Sequence, residues 1–205
     1  REGKIFSDME TMNRLFIDTS TKYLCIGIAK DEKVIYKFQQ EAIKKQSELT
    51  IPFLQKALKE NNLELNDIDE VIVTIGPGSF TGIRIGMCVA KVLASLNNIP
   101  LKAISSLNSY ASLGKKIVIL DAKAKRVYLG IYNDNKKVID ECVVEISTLK
   151  EMLKDYPDYD VVLDSYLIDL DSEEIDVIEN MNRISLTSDV VENIDSLVPI
   201  YLKDR

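Results

Sequence analysis

IVILDAKAKRVYLGIYNDNKKVI, residues 117–139, is the stretch that decides the architecture. It reads as an apolar strand ending at Asp121, a short polar turn, and two further strands broken at Asp134-Asn135. The chain has already drawn this shape once, as LFID at 15–18, YLCIGIAK at 23–30 and KVIYKFQQ at 33–40. A gapless shift lays Asp18 on Asp121, Lys22 on Lys125, Gly27 on Gly130, Ile28 on Ile131, Asp31 on Asp134 and Lys33 on Lys136. Internal repetition outranks other signals, and here it predicts two α/β lobes. Each opens with a three-stranded antiparallel meander whose first strand ends in Asp.

Between the repeats, Gln46–Asn61 carries Leu49, Phe53, Leu54, Ala57 and Leu58 at helical spacing. EVIVTI, 70–75, is an unalternating apolar run of the kind a central parallel strand presents. A second helix is expected over about Thr81–Ser95. After the second meander, Ser147–Lys154 reads as a helix, Asp160–Leu163 as its strand, and LVPIYLKDR, 197–205, as a closing segment. The first lobe is expected to span residues 12–110 and a shortened second lobe residues 111–205, with no flexible linker. Residues 1–11 are polar, and we expect them to be an N-terminal extension or expression remnant outside the fold.

Composition narrows the function classes. A hydrophobic content of 46% with 29% charged residues belongs to a globular chain of 205 residues. The net charge of −7 leaves no surplus of cations to hold nucleic acid by an overall field. Lys115, Lys116, Lys123, Lys125 and Arg126, and the pair Lys44-Lys45, read as solvated turn residues. Cys25, Cys88 and Cys142 each sit in an apolar run without a C-x-x-C pair, so buried free thiols in a reducing cytoplasm are expected. Ile83–Leu96 is apolar but interrupted by Arg84 and Lys91, and is expected to be too short to span a bilayer. The chain has no histidine. That removes Ser-His-Asp and Cys-His triads, imidazole bases and His-containing metal sites.

One loop invites a phosphate. IGPGSFTGIRIG, 75–86, joins an apolar strand to an apolar helix. No Lys follows in the Walker position, and G-x-G-x-x-G fails by one because Thr81 precedes Gly82. Ser79 or Thr81 can cap the helix from within. The second lobe has no glycine after Gly130, and its turn, DAKAK, places side chains where a close phosphate approach wants none. Asp18, Thr19, Ser20 and Asp121 remain as residual cleft residues, with no cofactor and no metal expected. Gly82, Gly86, Ala90 and Ala94 recur at intervals of four, and apolar residues fill most of the remaining helix surface. A helix apolar nearly all round is covered on more than one side, so the loop is expected to turn a corner and aim an interface helix.

The duplicated strand–Asp–hairpin is similar to the actin, sugar-kinase and heat-shock-ATPase superfamily. GPGSFTGIRIG with AKVLA at 90–94, IDTST at 17–21, LDAKAKRVY at 120–128 and PIYLK at 199–203 resemble the TsaB (YeaZ) family, over Met12 to Arg205. The resemblance implies a two-lobed, duplicated actin-like ATPase (ribonuclease H-like) fold with a degenerate second lobe. It also implies a non-catalytic component of the cytoplasmic complex that threonylcarbamoylates adenosine 37 in tRNAs reading ANN codons. The implied partners are a TsaD-like catalytic subunit, a TsaE-like ATPase, and a second copy of the chain in isolation; tRNA is met only through the complex, and no membrane is involved. In the family the two first-lobe helices make the contacts. Transferred to this chain, the interface residues are Gly82, Ile83, Arg84, Ile85, Gly86, Val89, Ala90 and Leu93, with Ser47 and Leu54. The chain departs from the family at Gln46-Ser47, where His-Ser or His-Thr is usual, and at Lys203, where Arg is usual. A free-standing ATPase or phosphotransferase, using Asp18 or Asp121 as metal ligand or base, is the alternative.

Overall fold

The computed structural model describes residues 11–171 and 173–202. Residues 1–10 of the expected extension and Lys203 lie outside the described residues. Strands Asn13–Asp18 (β1), Tyr23–Lys30 (β2) and Lys33–Glu41 (β3) are followed by a helix, Gln46–Glu60 (α1), and by Glu70–Thr74 (β4). Next come a long helix, Phe80–Asn97 (α2), the strand Leu101–Ile104 (β5) and a single helical turn, Ser106–Ser109 (α3). The meander then restarts with Lys115–Lys123 (β6), Arg126–Asn133 (β7) and Lys136–Glu145 (β8). Ile146–Met152 (α4), Asp160–Leu163 (β9) and Val177–Ser185 (α5) complete the order.

The repeat seen in the sequence is a repeat in space. Under the same gapless shift, β2 falls on β7 end to end, and β3 starts where β8 starts. One sheet runs β3-β2-β1-β4-β5 and the other β8-β7-β6-β9. In both, the first strand is antiparallel to the second and parallel to the strand that follows the first helix. Among the described residues the second sheet has no counterpart of β5.

Alternation along β1 sets the layers. Leu15 and Ile17 pack with Leu54 and Ala57 of α1 and with Ile83, Met87 and Ala90 of α2. Phe16 points the other way, into a core shared with Val118 and Leu120 of β6, Tyr132 of β7 and Val162 of β9. The outer face of the second sheet, with Ile117, Ile119 and Leu129, is closed by Leu149 of α4. Strands β1 and β4 are apolar on both faces because both faces are covered.

Several boundaries differ from the sequence reading. Helix α2 is longer than Thr81–Ser95 because Ser79 caps it, its hydroxyl accepting from the Gly82 N–H at 3.2 Å, and left-handed Asn98 closes it. Helix α4 ends at Met152 and continues as a 3-10 turn, Leu153–Asp155. Strand β5 and helices α3 and α5 are additions. A signal for α5 was present: Val177, Ile178 and Met181 share its buried face, and Asp176 accepts from the Glu179 N–H at its start. Cys88 is exposed rather than buried, whereas Cys25 and Cys142 are buried. After β9 the chain crosses back. Helix α5 packs on β2, β3 and β5. Val191 N–H donates to the Leu101 carbonyl at 2.8 Å, and Ile200 N–H to the Ile75 carbonyl at 2.7 Å. The segment that closes the sequence therefore lies along the first sheet.

Candidate functional site

The glycine loop is filled by its own chain. A Cβ on Gly82 would stand 2.0 Å from the Thr19 carbonyl oxygen, and one on Gly78 2.2 Å from that of Ser20. Gly76 meets the Ile200 carbonyl oxygen in the same way, at 2.6 Å. Gly76 and Gly78 also hold φ of +109° and +155°, which disfavour any side chain. Ser79 N–H donates to the Ser20 carbonyl at 2.7 Å. The turn after β1 thus sits against the start of α2, backbone to backbone, where a phosphate would otherwise approach.

The expected cleft residues are drawn into this packing. Asp18 is fully buried and its Oδ1 accepts from Ser20 N–H at 2.9 Å, Ser20 Oγ at 2.5 Å and Thr74 Oγ1 at 2.6 Å. Its Oδ2 accepts from the Tyr110 hydroxyl at 3.0 Å. Thr19 Oγ1 donates to the Gly82 carbonyl at 2.6 Å. Burial, reinforced by the neighbouring Asp18, pushes the Cys25 thiol and the Tyr110 hydroxyl well above their ordinary pKa values, so Cys25 is no thiolate nucleophile. Thr74 and Tyr110 were not anticipated; no local signal in the sequence marks them as partners of Asp18.

Asp121 is not the twin of Asp18. It lies at the edge of the second hairpin and accepts from Lys123 N–H at 2.8 Å and Lys123 Nζ at 2.5 Å. Partial burial raises its pKa, but the hydrogen bonds and charge of Lys123 outweigh burial and hold it below the usual carboxylate value. A further carboxyl, Asp164, accepts from the Asp121 N–H at 2.9 Å, and burial pushes it upward. Among the described residues no three His, Cys, Asp or Glu side chains converge on one point. The expected solvated lysines are partly tied down. Lys116 is buried between Asp160 at 2.8 Å and Glu173 at 3.1 Å, and Lys115 and Lys123 face Asp158 and Asp121.

Helix α2 carries two stripes at intervals of four, on opposite faces. Gly82, Gly86, Ala90 and Ala94 are all buried; a Cβ on Gly86 would stand 2.4 Å from Thr19 Oγ1 and 3.7 Å from Ile17 Cγ2. The small residues let α2 approach its own β1, so the expectation that they face another helix or chain is corrected. Ile83, Leu93 and Leu54 are buried in the same core, and Ile85 and Val89 are half-buried. Arg84, Cys88, Val92 and Leu96 are exposed, as is Ser47 on α1; Leu96 is 78% exposed. Of the expected contact residues, only Arg84, Ile85, Val89 and Ser47 reach the surface. Phe80, Cys88, Val92, Leu96 and, on α1, Ile51 are the surface residues the sequence reading missed. By length and apolar composition alone α2 is enough to cross a membrane, contrary to the sequence reading, but here it is the covering helix of a sheet.

Residues 37–182 match the family described as TsaD, tRNA N6-adenosine threonylcarbamoyltransferase. The tRNA threonylcarbamoyladenosine biosynthesis protein TsaB of Bacillus subtilis is 33% identical over 153 residues, covering 70% of this chain and 67% of that one. The chain belongs to the TsaB (YeaZ) family. A second TsaB, from Buchnera aphidicola of Schizaphis graminum, is 31% identical over 152 residues, covering 68% of this chain and 72% of its own. YeaZ from Pseudomonas aeruginosa superposes with a TM-score of 0.81 at 20% identity, over 93% of this chain and all 100% of that one. The fold is the duplicated actin-like, ribonuclease H-like α/β architecture, in the form that TsaB takes.

Two outcomes follow from the packing. Gly82→Ala should destabilise the isolated protein by about 1–3 kcal/mol through overpacking, even though Ala is the better helix former by roughly 1 kcal/mol. Urea denaturation checks this, and an unchanged or raised midpoint would mean that the contact with Thr19 is loose. Asp18→Ala should cost about 1–3 kcal/mol for each hydroxyl left without an acceptor, less what is recovered by no longer burying the carboxyl. Asp121→Ala, at an exposed ion pair, should cost under about 1 kcal/mol. Melting curves and t6A complementation are read together: an Asp18→Ala protein that melts normally but fails to complement would revive the enzyme reading.

Proposed function

We propose that the protein is a non-catalytic scaffold subunit for threonylcarbamoylation of adenosine 37 in tRNAs reading ANN codons, acting by pairing with a TsaD-like catalytic subunit. Family membership supplies the coarser part, a role in t6A formation. The observation that carries the finer part is the occupied loop: the Thr19 and Ser20 carbonyl oxygens stand where a phosphate-binding glycine loop keeps open space. The Asp18 carboxyl, the remaining candidate for metal or base chemistry on that side, is fully engaged by Ser20, Thr74 and Tyr110. What the first half offers instead is surface. The outward face of α2 presents Phe80, Cys88, Val92 and Leu96, with Ile51 of α1 also exposed. Apolar residues grouped in this way suit protein contact. In this reading a TsaE-like ATPase joins the pair, two copies of the chain associate when the catalytic subunit is missing, tRNA is met only through the complex, and the setting is cytoplasmic.

Reconstitution tests it. The purified chain should neither hydrolyse ATP nor modify tRNA alone. Mixed with the purified TsaD-like paralogue of the same organism, it should form a complex resolved by size-exclusion chromatography and support t6A formation. ATP turnover by the chain alone, or no complex with the paralogue, would overturn the proposal.

A further inference from the structure

From residue 186 to 202 the chain has neither helix nor strand, yet its burial follows a period of three. Val191, Ile194, Leu197 and Ile200 are half-buried against the core that α1 and α2 share with the first sheet. Glu192, Asn193, Asp195, Ser196 and Val198, between them, are exposed. The segment is fastened at its two ends. Beside β5, Val190 bridges to Lys102 and the Val191 N–H donates to the Leu101 carbonyl at 2.8 Å. Beside the glycine loop, the Ile200 N–H donates to the Ile75 carbonyl at 2.7 Å. Tyr201 then stacks on Phe80, with ring centroids 5.8 Å apart, and its hydroxyl oxygen accepts from Arg84 Nε and Nη2 at 3.3 Å each. Midway, Lys91 Nζ donates to the Asp195 carbonyl at 3.2 Å. Otherwise the bonds here close a single turn: Asn193 Oδ1 accepts from the Asp195 and Ser196 N–H groups, and Leu197 N–H donates to the Ile194 carbonyl.

We propose that residues 190–201 form a releasable strap, which opens as one unit while the sheet beneath stays folded, and which when closed holds the Ile75-Gly76 side of the glycine loop. Local stability follows the density of buried contacts and backbone bonds, and this segment has few of either. Long irregular connections are uncommon in compact domains and are found chiefly where the segment has a task. The closed strap lies directly on the loop, since a Cβ on Gly76 would stand 2.6 Å from the Ile200 carbonyl oxygen. The loop is therefore clamped from two sides: Thr19 and Ser20 bear on Gly82 and Gly78, and the strap bears on Gly76. Only the second clamp is releasable, because the first lies inside the core of the first half. Opening takes the donors away from the Leu101 and Ile75 carbonyls along one seam. Such an edge accepts an extended chain, and the closed strap occupies it. This inference goes beyond the scaffold reading and does not depend on it.

Native-state hydrogen exchange of the full chain, followed by NMR at rising low concentrations of denaturant, tests the strap. The amides of Val191 and Ile200 should share one opening equilibrium and exchange about a hundredfold or more faster than the protected amides of β1 and β4. Tyr201→Ala, which removes the ring contact at the far end, should speed exchange at Ile200 and at Val191 by the same factor, about tenfold. The Gly76 amide, which donates to Ser106 Oγ at 3.0 Å, should lose protection with them, while the Gly82 amide, held by Ser79, stays unchanged. Val191 and Ile200 exchanging as slowly as β1 and β4 would place the segment in the global folding unit and overturn the proposal. Acceleration at Ile200 alone would mean a fraying end and overturn it equally. Val191 and Ile200 opening together with Gly76 unmoved would defeat the strap's hold on the loop. Should Tyr201→Ala melt early, Arg84→Gln, altered only at an exposed side chain, decides the matter by the same readout.

Discussion

Everything in the first half depends on one backbone contact: the turn at Thr19-Ser20 lies directly on the start of α2, with no side chain between them. Gly78 and Gly82 permit it, and Ser79 and Thr19 lock it by hydrogen bonds in both directions. Because the turn is fixed there, Asp18 is carried under it and sealed by Thr74 and Tyr110. Because α2 is fixed there, its small stripe falls on β1 and its larger residues fall outward. Closing the phosphate route and presenting the helix surface are two results of the same contact.

The fold was legible because it is written twice. The gapless shift matches the second strands and their turns, but the first strands are one residue out of step: Asp18 pairs with Cys25, whereas Asp121 pairs with Val127 and not with Tyr128, so the shifted residues of β1 and β6 face opposite sides of their sheets. What the sequence did not yield has physical reasons. The path of α5 and of the closing segment depends on contacts with strands far away in the chain, and no periodicity reports which sheet a helix will cover. The glycine stripe was legible as a close-approach face, but small residues serve an internal and an external approach equally well. Only the position of Thr19 discriminates between them. Two residues along the helix, Arg84, Cys88, Val92 and Leu96 form a stripe with the same spacing, and that one is exposed. Cys88 was misassigned for the same reason: an apolar run tells that a helix is packed, not that every face of it is.

The aspartates of the two hairpins stand in opposite environments. In the first, Asp18 is an internal fastening, fully buried and accepting from four groups. In the second, Asp121 lies at the rim and is paired with the lysine of its own turn. Neither is an open, unpaired carboxyl, and the two are not equivalent strand ends: β1 stops at Asp18, whereas β6 runs past Asp121 to Lys123.

The central requirement is a loop that is closed in solution. Nitrogen-15 NMR of the labelled protein, following the backbone amides of Gly78, Ser79 and Gly82 during titration with magnesium ATP and with inorganic phosphate, tests this directly. The occupied loop predicts that these three amides do not move in a saturable way with either ligand. Saturable shifts of Gly78 and Gly82 would show that the turn at Thr19-Ser20 yields to a phosphate, and would contradict the account.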